Sequence, residues 1–226
     1  MFWEDNEEES NAVVNRVVDL GFRLETGTIP LDHAHVLGES LLQALPWLPD
    51  EKDCGVHMIH VAASGNGWLR PEDPENEVLC LSNRTRLNLR IPQNRVEDAQ
   101  QLIGKKLLLG DSAIKVGKAQ VKLLSDSTTI FSRYIVSDVD ESESDFMQRQ
   151  LDTLTKLDIK VKKMLCGMQN VFKIDNQIVH SKSLMLAELT HEESILLQEK
   201  GLGPRRLSGF GLFNAHKGIA PVFTKE

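Results

Sequence analysis

The order of predicted secondary-structure elements constrains the fold of this chain more than any other feature. In the first half, alternating apolar residues predict strands. Apolar residues at helical spacing from Val36 to Leu48 predict a helix whose N-cap is Asp32 and which Pro46 ends near Ala44 or Leu45. A second helix opens on a capping-box-like pair, Asn94 and Glu97. The predicted elements are a strand within residues 12–25, a helix after residue 32, strands at 56–61 and 87–91, a helix at 94–103, and extended segments at 106–109 and 114–124.

The second half repeats this order. A Thr-x-x-Glu capping box at Thr190 and Glu193 predicts the start of its last helix. The predicted elements are a strand at 129–136, a helix at 144–157, a strand at 159–165, a hairpin of 171–174 and 177–186, a helix to residue 200, and an extended segment at 210–214. Strand, helix, strand, strand, helix, strand is the order of a ferredoxin-like domain. The sequence therefore predicts an α+β protein with two tandem ferredoxin-like (RRM-like) domains and antiparallel sheets.

The same order predicts the domain boundaries. Residues 1–11 are acidic and typical of a disordered tail. Residues 12–126 form the predicted N-terminal ferredoxin-like domain, and residues 127–226 form the C-terminal one. A chain of 226 residues has room for two domains of about 100 residues each.

The net charge of −7 does not exclude a nucleic-acid partner, because the acidic residues are unevenly distributed. Ten of the 33 acidic residues lie in two runs, at residues 4–9 and 138–145, so the rest of the chain carries 23 acidic and 26 basic residues. A basic face is therefore permitted.

Composition also bounds the compartment and the cofactors. The sequence has no run of about 18 apolar residues, and its N-terminus is acidic where a signal peptide would be basic, so we expect a cytoplasmic protein without a membrane partner. Cys54, Cys80 and Cys166 form no Cys-x-x-Cys pair, and no histidines have the spacing of a His-Glu-x-x-His site. We expect neither a metal nor a small-molecule cofactor.

A glycine-rich loop, GLGPRRLSGFGLF at residues 201–213, follows the last predicted helix. Its backbone amides and guanidinium groups can approach one anion closely, but it lacks the Gly-Lys-Ser/Thr ending of a nucleotide P-loop and any dinucleotide fingerprint. An RNA backbone therefore fits better than ATP or NAD. The alternative is a helix C-cap followed by a turn. The residues predicted to hold RNA are Gly201, Gly203, Arg205, Arg206, Gly209 and Gly211.

A second candidate RNA contact is the predicted strand around residues 87–91. Alternation places Arg84, Arg86, Asn88 and Arg90 on one face, as a ladder suited to a phosphate backbone. A charged sheet edge that resists aggregation is the alternative interpretation. Aromatic residues make up only 5% of the chain, so a folded RNA held by its backbone is favoured over base stacking.

His33 and His35 are the candidate catalytic residues. If Asp32 caps the helix, His33 is its first residue, where the helix dipole attracts a phosphate and favours a neutral imidazole that can act as a general base. His35 points about 200° around the helix from His33, so the two cannot serve one site equally. The alternative is that these histidines are solvated or capping residues.

With these features, the chain resembles the CRISPR-associated repeat-processing endoribonucleases (the Cas six family). The resemblance rests on the tandem ferredoxin-like order, a histidine at the start of the first helix and the loop with its Gly-Leu-Gly and Gly-Phe-Gly motifs. It covers roughly residues 18–214. The segments Pro-Leu-Asp-His at 30–33, Leu-Pro-Trp-Leu at 45–48, Gly-Val-His at 55–57 and Gly-Leu-Gly-Pro-Arg-Arg-Leu from residue 201 are most similar to the Myxan-subtype branch.

The resemblance implies an enzyme that cuts precursor CRISPR RNA within each repeat without metal. A ribose 2′-OH would attack the adjacent phosphate, leaving a 2′,3′-cyclic phosphate and a 5′-OH. His33 would move the proton, His35 would be the fallback, and His57 would either support the catalytic histidine from behind or act as its partner. The implied partners are the repeat stem-loop, the crRNA product and other Cascade subunits.

Two alternatives stay open at this point. One is a non-catalytic subunit that holds the repeat hairpin in a crRNA-guided effector complex, in some systems transposon-associated. The other is a tandem ferredoxin-like module that binds a small metabolite.

Overall fold

A computed structural model describes residues 16–25, 27–60, 77–175 and 177–216 of the chain. The predicted tail at residues 1–11 and the predicted turn residue 176 lie outside these ranges. The described strands are β1 (Val17–Leu24), β2 (Gly27–Pro30), β3 (Gly55–Val56), β4 (Val78–Leu81), β5 (Arg86–Pro92), β6 (Lys106–Leu109), β7 (Ser112–Leu123), β8 (Ile130–Ser137), β9 (Lys163–Ile174), β10 (Gln177–Ala187) and β11 (Asn214–Ala215). The described α-helices are α1 (Ala34–Ala44), α2 (Val96–Gln100), α3 (Glu143–Lys156) and α4 (His191–Lys200).

The first sheet has the strand order β3-β5-β1-β7-β6, and its pairs are antiparallel. Because side chains alternate along a strand, Leu20 and Phe22 of β1 enter the core with Leu37 and Leu41 of α1, while Asp19 and Gly21 face the opposite side. A separate ribbon of β2 and β4 adds Ile29 and Leu79 to the same core. The helices therefore cover one face of the sheet and leave a polar face.

The second sheet has the order β11-β8-β10-β9, also antiparallel. Phe146 and Leu154 of α3 and Leu197 of α4 pack with Leu184 and Leu186 of β10. In both halves the strands that correspond to the ferredoxin-like pattern lie side by side in the order four, one, three, two. The predicted fold of two tandem ferredoxin-like units with antiparallel sheets is confirmed.

Local sequence signals had mixed outcomes at the helix starts. The Thr190 and Glu193 capping box of α4 is present with both of its hydrogen bonds. The prediction that Asp32 caps α1 is wrong, because His33 is the N-cap and α1 begins at Ala34. Asn94 lies in a 3-10 turn ahead of α2 and makes no side-chain cap there.

Two predicted strands differ in length from the observed ones, because strand pairing continues further in one case and stops earlier in the other. The strand predicted at 159–165 is instead the 12-residue β9, because its pairing with β10 begins at Lys163 and continues to Ile174. The strand predicted at 56–61 stops at Val56, since the next residues turn toward α1 and the C-terminal half. The domain boundaries at 126/127 remain a prediction. The strands of the first sheet lie between residues 17 and 123, and those of the second between 130 and 215.

Buried contacts join the two halves. An aromatic and aliphatic cluster combines Ala34 and Met58 of the first half with Tyr134, Phe172 and Phe210 of the second. The rings of Phe172 and Phe210 pack edge to face at 5.2 Å. None of the helices in the described ranges combines the length and the apolar character needed to cross a bilayer.

Candidate nucleic-acid interface between the two halves

A cleft of about 570 Å³ lies between the polar face of the first sheet and the C-terminal half. Its floor comes from the residues of β1, β5 and β7 that alternate away from the core. Its far wall comes from β8 and from the glycine-rich loop with the residues that follow. The residues that carry the argument below are Asp19, His57, His60, Arg84, Arg86, Lys122, Arg133, Tyr134 and Gly209.

Three residues of the predicted ladder, Arg84, Arg86 and Asn88, line this cleft. Arg84 is exposed in the turn before β5, and Arg86 is half-buried and donates hydrogen bonds from Nη1 to the carbonyl oxygens of Asn83 and Thr85, both at 2.8 Å. Lys122 of β7 and Arg133 of β8 bring two exposed cations from elements distant in sequence. Among the described residues, the lining of the cleft therefore has four cationic side chains and one carboxylate, that of Asp19.

Asp19 is neutralised by a fully buried arginine. Arg90 donates from Nε and Nη2 to the two oxygens of Asp19, both at 2.9 Å, and from Nη1 to the carbonyl oxygens of Gln198 and Phe213 at 3.0 and 2.7 Å. Burial would raise the pKa of Asp19, but the charge of Arg90 and the hydrogen bond from His57 outweigh it and hold this pKa below its usual range. The predicted ladder residue Arg90 is thus an internal link between the two halves.

The glycine-rich loop owes its shape to left-handed backbone. Gly209 and Gly211 have φ of +87° and +69°, which side chains rarely adopt. A Cβ on Gly209 would overlap the side chain of Met58, and one on Gly211 would overlap the carbonyl oxygen of Leu202. Gly201 also has positive φ, and a Cβ there would overlap the carbonyl oxygen of Gly211, so these three glycines allow close packing within the protein. At Gly203, which also has positive φ, a Cβ would make only an ordinary contact. The RNA contacts proposed for all four glycines stay predictions.

The two arginines of the loop lie in different surroundings. Arg206 turns inward and donates to the carbonyl oxygens of Glu199 and Lys200, at the C-terminus of α4, and to that of Asp53 at 3.0 Å. Burial lowers its pKa to about 10. Arg205 is exposed and donates to Oε1 of Gln177 at 3.0 Å. Arg206 therefore has structural contacts and Arg205 is accessible, and the RNA contacts predicted for both arginines remain predictions.

His33 is 3% exposed, and both of its ring nitrogens are engaged. Nδ1 lies 3.1 Å from the carbonyl oxygens of Pro30 and Leu31, so it donates, and Nε2 accepts the backbone N–H of Ile59 at 3.0 Å. This arrangement joins the start of α1 to the segment after β3. It differs from the predicted arrangement, in which His33 occupies the first turn of the helix and faces a phosphate.

His35 lies on the outer side of α1. Its Nε2 is 3.5 Å from Oε2 of Glu39 and 4.0 Å from Oδ1 of Asp175, at the β9–β10 turn, and its side chain is 30% exposed. It is not among the described residues that line the cleft. The catalytic roles predicted for His33 and His35 remain predictions.

Two other histidines do line the cleft. Nε2 of His57 donates to Oδ1 of Asp19 across 3.3 Å, and the ring of His60 lies 5.9 Å from that of Tyr134. Burial lowers the pKa of His57, while the hydrogen bond and charge of Asp19 oppose this shift. The pKa of His60 is also lowered, first by desolvation and then by the charge of Arg133.

Sequence reasoning missed several of these cleft residues for a common reason. Tyr134 lies in the second half of the chain, and the fold places it beside His60. Asp19 and His57 are 38 positions apart, and only antiparallel pairing through β5 brings them together. Strand alternation could have indicated that Asp19 leaves the core. In the described residues, His, Cys, Asp and Glu side chains form no group of three that could hold a metal ion.

The fold and the cleft define a class of protein: tandem ferredoxin-like units with a cationic groove between them. A family profile described as "Cas6 Crispr" matches residues 18–218. The chain therefore belongs to the Cas6 family.

Individual relatives agree with this assignment. The "CRISPR-associated endonuclease Cas6" of Myxococcus xanthus (strain DK1622) is 29% identical over 196 residues, covering 87% of this chain and 80% of the relative. A solved "CRISPR associated protein Cas6" superposes with a TM-score of 0.60 at 14% identity, over 89% of this chain and 100% of that one. "An RAMP protein binding different RNA substrates" gives 0.62 at 12% identity, over 87% and 98%. At these identities the structural likeness concerns the fold.

Proposed function

We propose that this chain is an endoribonuclease that cuts precursor CRISPR RNA within its repeats. The observation that carries the proposal is the cleft, where four cations from the two halves surround two histidines and a tyrosine in a member of the Cas6 family. The cations are suited to hold a phosphate backbone, and imidazole rings can move protons near neutral pH.

The proposed reaction needs no metal ion. A ribose 2′-oxygen attacks the adjacent phosphorus as the 2′-OH proton leaves, and the bond from phosphorus to the 5′-oxygen breaks. The products are a 2′,3′-cyclic phosphate and a 5′-OH. Arg84, Arg86, Lys122 or Arg133 stabilises the charge that builds on the phosphorane.

The proposal includes retention of the product. The exposed guanidinium of Arg205 and the four cations of the cleft form part of a surface that holds the repeat stem-loop after cleavage, and the chain then serves as a Cascade subunit. Retention predicts a single-turnover enzyme whose product dissociates slowly.

The experiment that tests this function uses the full chain and the labelled CRISPR repeat RNA of its own host, in EDTA. A second RNA carries a 2′-deoxy substitution at each candidate cut position. Cleavage of the ribose substrate alone, with a cyclic phosphate end, is the expected result. Cleavage of the deoxy RNA, or cleavage that requires added Mg²⁺, would contradict the proposed mechanism.

A second candidate function is a subunit that holds the repeat hairpin without cutting it. The burial of His33, with its ring nitrogens bonded to Pro30, Leu31 and Ile59, favours this candidate if His33 is the only possible catalyst. Tight, salt-sensitive binding of the repeat without any cleavage would establish it. The cleft histidines, however, give the chain another source of acid–base chemistry.

A further inference from the structure

His57, which lines the cleft, and His33, which is buried outside its lining, differ in how their ring nitrogens are bonded. Nε2 of His57 is bound to Asp19, whereas its Nδ1 makes no hydrogen bond to any described residue. Nδ1 is not one of the fully buried side-chain nitrogens that lack a hydrogen-bond partner in the described residues. Because the ring also lines the cleft, Nδ1 is accessible there. His33, in contrast, has both nitrogens bonded to backbone.

Asp19 is well placed to orient this ring. Its side chain is 16% exposed and that of His57 is 13% exposed, so their contact is shielded from solvent on most sides. Arg90 holds both oxygens of Asp19 in place and is itself fixed by backbone carbonyls of the C-terminal half. A carboxylate that accepts from one ring nitrogen fixes the tautomer in which the other nitrogen is a proton acceptor.

We propose that His57, oriented by Asp19, is the general base that activates the ribose 2′-OH in this cleft. The inference rests on the proposed function, because it assigns a step of that reaction. Nδ1 of His57 takes the proton of the 2′-OH as the 2′-oxygen bonds to phosphorus. The 5′-oxygen leaves as its bond to phosphorus breaks and takes a proton from water, and the resulting hydroxide is neutralised by the proton on His57.

The charges around the ring agree with a neutral base. Burial, Arg90 and Arg206 lower the pKa of His57, and Asp19 raises it. His60 lies near enough to feel the charge of His57. A general base must be unprotonated before the reaction and stable once it has taken the proton. His57 meets the first requirement through its lowered pKa and the second through the carboxylate of Asp19.

His57→Gln is the informative variant. Glutamine can present an amide N–H to Asp19 in place of the ring Nε2–H, but it has no group that takes a proton near neutral pH. We expect the single-turnover cleavage rate of the host repeat RNA to fall by about 10²–10⁴-fold, with the dissociation constant for a 2′-deoxy repeat changed by less than about threefold. His180→Gln is the matched control, since His180 lies on β10 and does not line the cleft among the described residues, and we expect its cleavage rate to be unchanged.

The pH profile separates a base from a structural residue. Because Asp19 raises the pKa of His57, Asp19→Asn should move the acidic limb of the cleavage profile to lower pH, whereas a purely structural role lowers the rate without moving the limb. Assays are run where far-UV circular dichroism shows each variant folded. Imidazole added to His57→Ala should restore part of the rate.

The outcomes are distinct from those for the proposed function. If the unmodified chain does not cut the repeat, the endoribonuclease proposal fails. If the unmodified chain cuts and His57→Gln cuts within about threefold of it, only the assignment of His57 fails. Loss of RNA binding together with cleavage in His57→Gln would also overturn the assignment, because it would make His57 a residue that shapes the cleft.

Discussion

The backbone N–H of Ile59 donates to Nε2 of His33 across 3.0 Å, which joins the start of α1 to a segment 26 residues away. The same ring reaches the carbonyl oxygens of Pro30 and Leu31 through Nδ1. His33 therefore fixes the position of the segment that also carries His57 and His60. Its geometry is that of a positioning residue for the cleft.

This relationship predicts the effect of His33→Ala. The change leaves the buried N–H of Ile59 without its acceptor, which should lower the free energy of unfolding by about 1–3 kcal/mol. Urea unfolding at neutral pH measures the loss. His35→Ala, on the more open side of α1, is the control and should stay within about 0.5 kcal/mol. A His33→Ala protein that keeps full stability but loses cleavage would contradict this positioning role and support the catalytic role predicted for the residue.

Arg205 and Arg206 are predicted to differ although they are neighbours. Arg206→Ala removes the donor to three backbone carbonyl oxygens, two of them at the C-terminus of α4, and should cost about 2–3 kcal/mol of stability. Arg205→Ala should change stability by less than about 0.5 kcal/mol but weaken binding of the repeat RNA. Thermal unfolding and filter binding test the two effects separately. Equal losses of stability in the two variants would contradict this division of roles.

These arginines show what the sequence could and could not predict. The repeated element order and the alternation along β5 are local patterns, so the fold class and the position of Arg84 and Arg86 in a shared surface were accessible. The left-handed backbone of Arg205, with φ of +67°, and the inward contacts of Arg206 could not be predicted from the local sequence Pro-Arg-Arg.

The long-range contacts of the site were not predictable for a related reason. The hydrogen bond from Ile59 to His33 and the ion pair of Asp19 with Arg90 join segments that are distant in sequence. The local spacing of residues along the chain does not predict such contacts. His33 at a helix start therefore had the sequence context of a catalyst and the tertiary contacts of a buried link.

Gly211→Ala should be more harmful than Gly203→Ala. Both positions have positive φ, which costs alanine about 1–2 kcal/mol. At Gly203 the added Cβ would meet only Cγ2 of Ile135 at 3.8 Å, an ordinary contact, whereas at Gly211 it would overlap the carbonyl oxygen of Leu202. The overlap should add about 1–3 kcal/mol. Urea unfolding of the two variants checks the order, and equal effects would show that the loop relaxes freely around residue 211.

The Asp19 and Arg90 pair predicts a dependence of stability on pH. The pKa of Asp19 in the folded protein lies below its unfolded value of about 3.9, so the pair stabilises the fold at neutral pH and this contribution is lost as the pH falls below about 4. Asp19→Asn should cost about 3 kcal/mol at pH 7, because it leaves the buried Arg90 without its counter-charge. The cost should shrink as the pH falls from 4 toward 2. A cost that is the same at pH 7 and at pH 2.5 would mean that folding does not lower the pKa of Asp19.

Arg84 and Arg86 provide the test of the cleft as the RNA path. If each contacts one phosphate, Arg84→Ala/Arg86→Ala should weaken repeat binding and reduce the slope of log affinity against log salt by about 1.5, since each contact contributes about 0.7–0.9. Lys160→Ala/Lys162→Ala removes the same charge from a segment that does not line the cleft among the described residues, so it should leave the slope within about 0.3 of the original. Because the two double variants have equal net charge, a difference between their slopes reports local phosphate contacts. An equal reduction in both would move the RNA path away from the cleft.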